Sequence, residues 1–506
     1  MLWILSLLLT LAAGWFLARA LTAGAWNAPR WATFLVELSL GALFGPGLAS
    51  ILYFALVAAH LANQASVFAM LIVLLAASAG LFWKTKSQTT SITTSMSGSP
   101  EASAAIPQRT FPWNWALWIA IALGLVLFVM DFREASSANP AGEWDAISIW
   151  NVRARYLASG GDLWKRAVLA DIGGHISGSS HPGYPLFLSG FIGMQFSAGG
   201  VFDETVSIAA SLLFAMGALI LLGASIASRR TVALGLLGWL VLFASEVFAS
   251  QSAVQYSDLL QGFAFLAALV LLDAADSNSD GNPRLLFAAG LAIGLSCWIK
   301  NEGLPFALAA LAVALWKFRS RGTAGIGSRA SLGLGALPGF AALAILKLVF
   351  VQGREDMFPQ TMAETIEKVT GAGRWWQAAL GFGKAIFDAG NGWTHPVLLM
   401  AVLAFALRFV ASGERRKGWW LVVPVAVTAA AEYALYLVTT INMDWHISTS
   451  VSRLLAQLWP SLLWLFFMTL RAPEEAYPLI AKPLSAESVA TASASEGASA
   501  GKRKRR

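Results

Sequence analysis

An all-α polytopic membrane bundle is the fold class this sequence predicts, and three observations carry it. Of its 506 residues, 57% are hydrophobic and only 12% charged, against roughly 25% charged in soluble domains. Charge-poor apolar runs recur along the chain, many near the about 20 residues that a helix needs to cross a bilayer. Basic residues gather in alternate connections between those runs, as in chains whose lysines and arginines stay on the cytoplasmic side.

In chain order, the apolar segments predict helices near 3–21, 32–62, 66–83, 112–130, 204–226, 232–250, 255–274, 284–300, 303–317, 332–351, 394–411, 418–439 and 454–471. The "FGPG" at 44–47 can split the second segment in two, so 13 or 14 spans are expected. The first segment lacks a basic n-region and a cleavage site, which makes it a retained span. Lys84, Lys86, Arg229, Arg230, "WKFRSRG" at 316–322, "ERRKG" at 414–418 and the terminal "GKRKRR" then all fall on the cytoplasmic side. Residues 131–203, 353–393 and 440–453 are placed outside. Within the first of these, "YPLFLSGFIGMQF" at 184–196 is too short to span and reads as interfacial or re-entrant.

Composition also divides the chain. Residues 1–84 form an N-terminal helical group, 85–111 a Ser/Thr/Ala-rich cytoplasmic linker, 112–471 the main transmembrane core, and 472–506 a low-complexity basic tail. The net charge of +7 fits cytoplasmic loops better than nucleic acid, because no basic stripe interleaves with aromatics. The single cysteine, Cys297, excludes a disulfide framework or a Cys-based metal site.

The unusual polar residues collect in the outer segments. In "GEWDAISIWNVRARY", Asp145 is a candidate N-cap for an amphipathic helix over 146–158 lying on the membrane surface. Ala146, Trp150, Ala154 and Leu157 share one side of it, and Ser148, Asn151 and Arg155 another. Glu143 and Asp145 at its start are also what an ordinary helix cap and dipole would select. "HISGSSHPGYPLF" brings His181 and Tyr184 ahead of the short apolar helix, and "VQYSD" sets Asp258 at the outer end of a span. "WIKNEG" puts Lys300 and Glu302 between two apolar segments, where they either pair in a tight turn or face a functional interior. In "TTINMDWHISTSVSRLLAQLWP", Asp444, Trp445 and His446 precede Arg453, expected in the first turn of the last span. An arginine there calls for an anionic partner such as phosphate, or else snorkels to water or headgroups.

With these motifs together, the chain resembles the GT-C superfamily of integral-membrane glycosyltransferases. The nearest likeness is to bacterial members related to protein O-mannosyltransferases and the lipid A aminoarabinose transferase, and "WIKNEG" and "DWHISTSVSRLLAQLWP" look like an uncharacterised bacterial branch. The likeness rests on "EWDA", "HPGYP" and "YSD" in that order and covers residues 112–471. It departs in separating Glu143 from Asp145 by one residue and in carrying Gly183 where a bulkier or acidic residue is usual. The resemblance implies a GT-C-like bundle with interfacial helices in the first large outer loop, in the cytoplasmic (inner) membrane, with its active site outside and its C-terminus inside. It implies transfer of a sugar from a polyprenyl-phosphate donor to a glycan, lipid or protein acceptor of the cell envelope, with inversion.

On that reading Asp145 is the catalytic base, and Glu143 supports it or holds a metal. Arg453 and His446 bind the donor phosphate, with Arg153, Arg155 and Lys300 as further candidates. His181, Tyr184, Asp258, Glu302 and Trp445 line the site. Some superfamily members bind a divalent cation, but no ligand set is readable here. A transporter or flippase of a lipid-linked glycan, a glycan ligase or polymerase, and a non-enzymatic assembly subunit are the competing readings.

Overall fold

The computed structural model describes residues 2–26, 28–95, 113–169, 181–277, 282–319, 322–351, 359, 361–390 and 394–478. Apart from isolated bridges, all regular structure among them is helical. The first group is α1 (Leu2–Thr22), α2 (Arg30–Ala58) and α3 (Gln64–Ser95), followed by α4 (Asn114–Ala138). A π-helical turn, Ala146–Trp150, leads into α5 (Asn151–Ala158), and α6 (Phe187–Gly199) follows. Next come α7 (Glu204–Arg229), α8 (Val232–Phe243), α9 (Glu246–Ala253), α10 (Asp258–Ser277), α11 (Pro283–Ile299) and α12 (Gly303–Lys317). The remainder is α13 (Gly322–Ile345), α14 (Met362–Thr370), α15 (Ala372–Phe387), α16 (Pro396–Leu407), α17 (Ser412–Gly418), α18 (Val422–Val438), α19 (Met443–Thr469) and α20 (Pro473–Ala476).

Among the described residues, nine helices are long and apolar enough to cross a membrane. Four shorter apolar helices, α8, α11, α12 and α16, accompany them. The chain is therefore a multi-pass membrane protein with an all-α bundle. Its centre is α10, whose apolar stretch is 94% buried between α7, α11 and α19.

Several local expectations change. The "FGPG" segment does not break α2, which runs unbroken through Pro46. Its glycines serve close packing instead: a Cβ on Gly45 would meet the Thr10 carbonyl of α1 at 2.3 Å. Small residues let membrane helices approach until van der Waals contact and lipid release hold them together. The expected linker is helical from residue 85 to Ser95, as the end of α3, and 96–111 lies outside the described residues. Of the expected tail, Pro473–Ala476 is a helical turn, and residues from 479 onward lie outside the described set. Residues 353–393 contain α14 and α15, whose apolar faces leave Ile366, Trp376 and Phe387 exposed.

The helix expected on the membrane surface, 146–158, packs inside the protein, and so does α6, the segment expected to be interfacial or re-entrant. Ala146, Trp150, Ala154 and Leu157 do share a face, but that face is wholly buried, and α5 packs on α6. The Ser189 hydroxyl on α6 donates to the Trp150 carbonyl at 2.9 Å. α6 is itself buried along nearly its whole length. It lies on α2, where the Ser50 hydroxyl donates to the Leu186 carbonyl at 3.1 Å. Its 13 residues reach only about 20 Å, short of the about 30 Å hydrocarbon core.

Candidate functional site

Asp145 reaches its place through a loop fastened to a distant segment. After α4 the chain reverses at Gly142, with φ +80°, where a Cβ would stand 2.5 Å from the Ala146 Cβ and 2.9 Å from the Val254 carbonyl oxygen. Only glycine accepts that backbone at low cost. The Glu143 N–H then donates to the Val254 carbonyl at 3.2 Å, and the Asp145 N–H to the Tyr256 hydroxyl at 3.2 Å. Gln255, itself at φ +63°, donates to the Pro140 carbonyl at 2.9 Å and accepts from Asn151 Nδ2 at 2.9 Å. "GEWDA" and "VQYSD" thus form one rigid unit.

From that unit a chain of charges runs inward. Asp258, the first residue of α10, is fully buried. Its Oδ1 accepts from Lys300 Nζ at 3.0 Å and Gln457 Nε2 at 2.7 Å. Its Oδ2 lies 3.3 Å from both Nε and Nη2 of Arg453. Arg453 Nη2 also contacts Asp145 Oδ2 at 2.7 Å, and Lys300 Nζ contacts Glu302 Oε1 at 2.9 Å. Side-chain exposure rises outward, from 1% at Asp258 and 3% at Lys300 to 15% at Arg453 and 20% at Asp145. Asp145 is the most exposed member of the chain.

Aromatic rings wall the cations. The Arg453 guanidinium lies 4.5 Å from the centre of the Tyr256 ring, and Lys300 Nζ 5.7 Å from that of Tyr184. Tyr184 stacks on Trp150 with centroids 5.6 Å apart and planes within 5°, and the His181 ring lies 5.0 Å from it. Burial holds the Tyr256 hydroxyl above the usual phenol range, and the neighbouring Asp145 charge adds to that.

Other expected site residues stand elsewhere. Asp145 is not a helix cap: its backbone is already helical and its side chain caps nothing. Arg453 is not in the first turn of its helix but, at about 1.5 Å per residue, about 15 Å along α19 from Met443. Arg153 is fully buried and donates to the carbonyls of Ala167 at 2.6 Å, Tyr184 at 2.7 Å and Pro182 at 3.3 Å. It braces the "HPGYP" turn. Arg155 points away, half exposed and 3.8 Å from Glu204. The Glu143 carboxylate accepts from Asn139 Nδ2 at 3.0 Å, so it does not support Asp145 through a hydrogen bond. Trp445 is 59% exposed, and Asp444 beside it hydrogen-bonds Gln377 on α15. His446 is buried two turns above Arg453, its ring 4.8 Å from that of Tyr436. Its Nδ1 lacks a hydrogen-bond partner among the described residues. His175 and its neighbours lie outside the described residues.

Three participants escaped the sequence reading. Gln457 follows Arg453 by one helical turn, a spacing that puts both on one face. Tyr256 lies inside a motif singled out only for its aspartate. Glu432 is buried in α18, and neither of its carboxylate oxygens has a hydrogen-bond partner among the described residues; it lies within electrostatic reach of Glu302, Lys300 and Asp258. An acidic residue inside an apolar run is costly, which was its signal. Among the described residues, no three His, Cys, Asp or Glu side chains converge as metal ligands.

Comparison of the chain with protein-family models, curated proteins and solved structures finds no match.

Proposed function

We propose that this protein is a membrane glycosyltransferase that moves a sugar from a polyprenyl-phosphate donor to a cell-envelope acceptor at the outer face of the cytoplasmic membrane. The observation that carries the reading is the Asp145–Arg453–Asp258 chain: a partly open carboxylate 2.7 Å from a guanidinium that a buried aspartate fixes from behind. Group transfer from a phosphate needs both parts, a base for the attacking hydroxyl and a preorganised cation for the leaving oxygen. Arg229, Arg230 and Arg415, gathered at the other end of the bundle, support the outward sidedness, because basic residues favour the cytoplasmic side.

In this mechanism the donor phosphate approaches Arg453 from its exposed side and displaces Asp145 from it. Asp145 then takes the proton of the acceptor hydroxyl as its oxygen attacks the anomeric carbon. The bond from that carbon to the phosphate oxygen breaks on the opposite face, and polyprenyl phosphate leaves with Arg453 as its counter-charge. Direct displacement inverts the anomeric centre. Asp258 and Gln457 hold Arg453 and Lys300 in place, and Tyr184 and Tyr256 keep water from the cations.

The test is transfer by purified protein in lipid nanodiscs with a defined polyprenyl-phosphate sugar. Asp145→Asn should lower turnover by about 10²–10⁴ in protein shown to be folded; turnover at the wild-type rate removes the base assignment. A transporter of a lipid-linked glycan is the second reading, favoured by the buried side chains of Gln261 and Glu432, which have no hydrogen-bond partner among the described residues. Glycan movement without product in the same nanodiscs would establish it.

A further inference from the structure

At the end of the bundle away from Asp145, a cavity of about 650 Å³ opens between α7, α10, α18 and α19. Along α10, at about 1.5 Å per residue, its lining Asp273 stands about 22 Å from Asp258. Its floor and sides are apolar and include Leu465, Phe466 and Met468. Trp419 and Val422, at the start of the candidate span Trp419–Val438, form an exposed wall, 54% and 48% accessible.

The charged lining is uneven. Asp273 is held by Arg229 at 2.6 Å, and Asp276 by Lys317 at 3.0 Å, so both carboxylates are neutralised locally. Arg230 instead donates to neutral acceptors, the carbonyls of Leu470 at 2.8 Å and Met468 at 3.4 Å. It also forms an ion pair with the half-exposed Glu475 carboxylate at 3.6 Å. Arg415 is exposed, with its guanidinium over the Phe409 ring at 5.6 Å. A third polar group adds to these: Trp464 lines the cavity, is 1% exposed, and its indole N–H has no partner among the described residues. With Arg229, Arg230 and Lys317 each paired to a carboxylate, Arg415 leaves the cavity with surplus positive charge, beside a buried donor and an exposed apolar wall.

From this combination we infer that the cavity is a binding site for an anionic glycerophospholipid, with the phosphate between Arg230 and Arg415 and an acyl chain along Trp419, Val422 and Phe466. A soluble anion would match the arginines but leave the apolar wall wet. A zwitterionic lipid would match the wall but bring a cationic group to the arginines. Basic pockets between membrane helices select anionic headgroups on these grounds, and the volume lies in the range of small-molecule sites, about 300–1,000 Å³. This inference does not depend on the transfer reaction proposed above.

The experiment is native mass spectrometry of the full-length protein in detergent, titrated with phosphatidylglycerol, with phosphatidylcholine of the same acyl chains, and with inorganic phosphate. Phosphatidylglycerol should bind most tightly, and Arg415→Gln should weaken it about five-fold, the effect of roughly 1 kcal/mol per basic contact. Val422→Trp, which fills the wall and leaves every charge in place, should weaken both lipids. Equal binding of the two lipids overturns the proposal, as does an unchanged preference in Arg415→Gln. Inorganic phosphate competing fully with phosphatidylglycerol also overturns it, because the apolar wall would then contribute nothing.

Discussion

The two ends of the bundle handle charge differently. At one end Asp258, Lys300, Arg453 and Asp145 come from separate stretches of the chain and meet with little water around Asp258 and Lys300. At the other, Arg229–Asp273 and Lys317–Asp276 link helix termini and keep 16–27% of their side-chain surface. A buried charge whose partner is removed has no solvent to replace it, whereas a partly exposed one can rehydrate. The first arrangement is therefore costly to disturb and holds its groups in fixed geometry; the second tolerates change and leaves room for a lipid headgroup.

The sharpest way to break this contrast is Asp258→Asn. It leaves Lys300 and Arg453 without their shared buried counter-charge, and about 3–5 kcal/mol of stability should be lost. Thermal unfolding in detergent checks this, and a shift no larger than that of a pair at the opposite end would erase the distinction. Arg453→Lys keeps the charge but loses the planar fork that joins Asp145 to Asp258. Loss of one preorganised contact should lower turnover by about 10²–10³, read as kcat in the nanodisc assay with folding monitored in parallel.

Gly142→Ala tests the backbone that delivers Asp145. An alanine there meets both a positive φ and the Ala146 side chain, and about 1–2 kcal/mol should be lost. Turnover should fall with it as the loop moves off Tyr256, and restored turnover at lower temperature would show that positioning is at stake. The smallest effect belongs to Lys317→Gln at the opposite end, about 1 kcal/mol or less. That loss should shrink further in high salt, which screens partly exposed pairs. A salt-independent loss of several times that size would make the two ends alike.

How much could be read beforehand differs by element. The apolar helices were legible because hydropathy is a sum over a local window; each expected segment holds a helix, although 232–250 breaks into α8 and α9. Pro46 misled because a proline's cost depends on what packs around it, and α2 is held along its length by α1, α6 and α7. The 146–158 face was read correctly but assigned to lipid, since apolar periodicity does not say what covers it. Arg153 and Arg453 looked alike in sequence; one is surrounded by carbonyls and the other by carboxylates.

By itself the sequence determined that this chain crosses membranes many times as helices. It also determined which short stretches carry its costly polar residues, since both follow from composition within a few turns. Only the tertiary structure decided that Asp145, Asp258, Lys300 and Arg453 form one chain while Glu143, Arg153 and Arg155 stand apart from it. Pairing across up to 308 positions, as between Asp145 and Arg453, depends on how helices and loops pack. No local window contains that information.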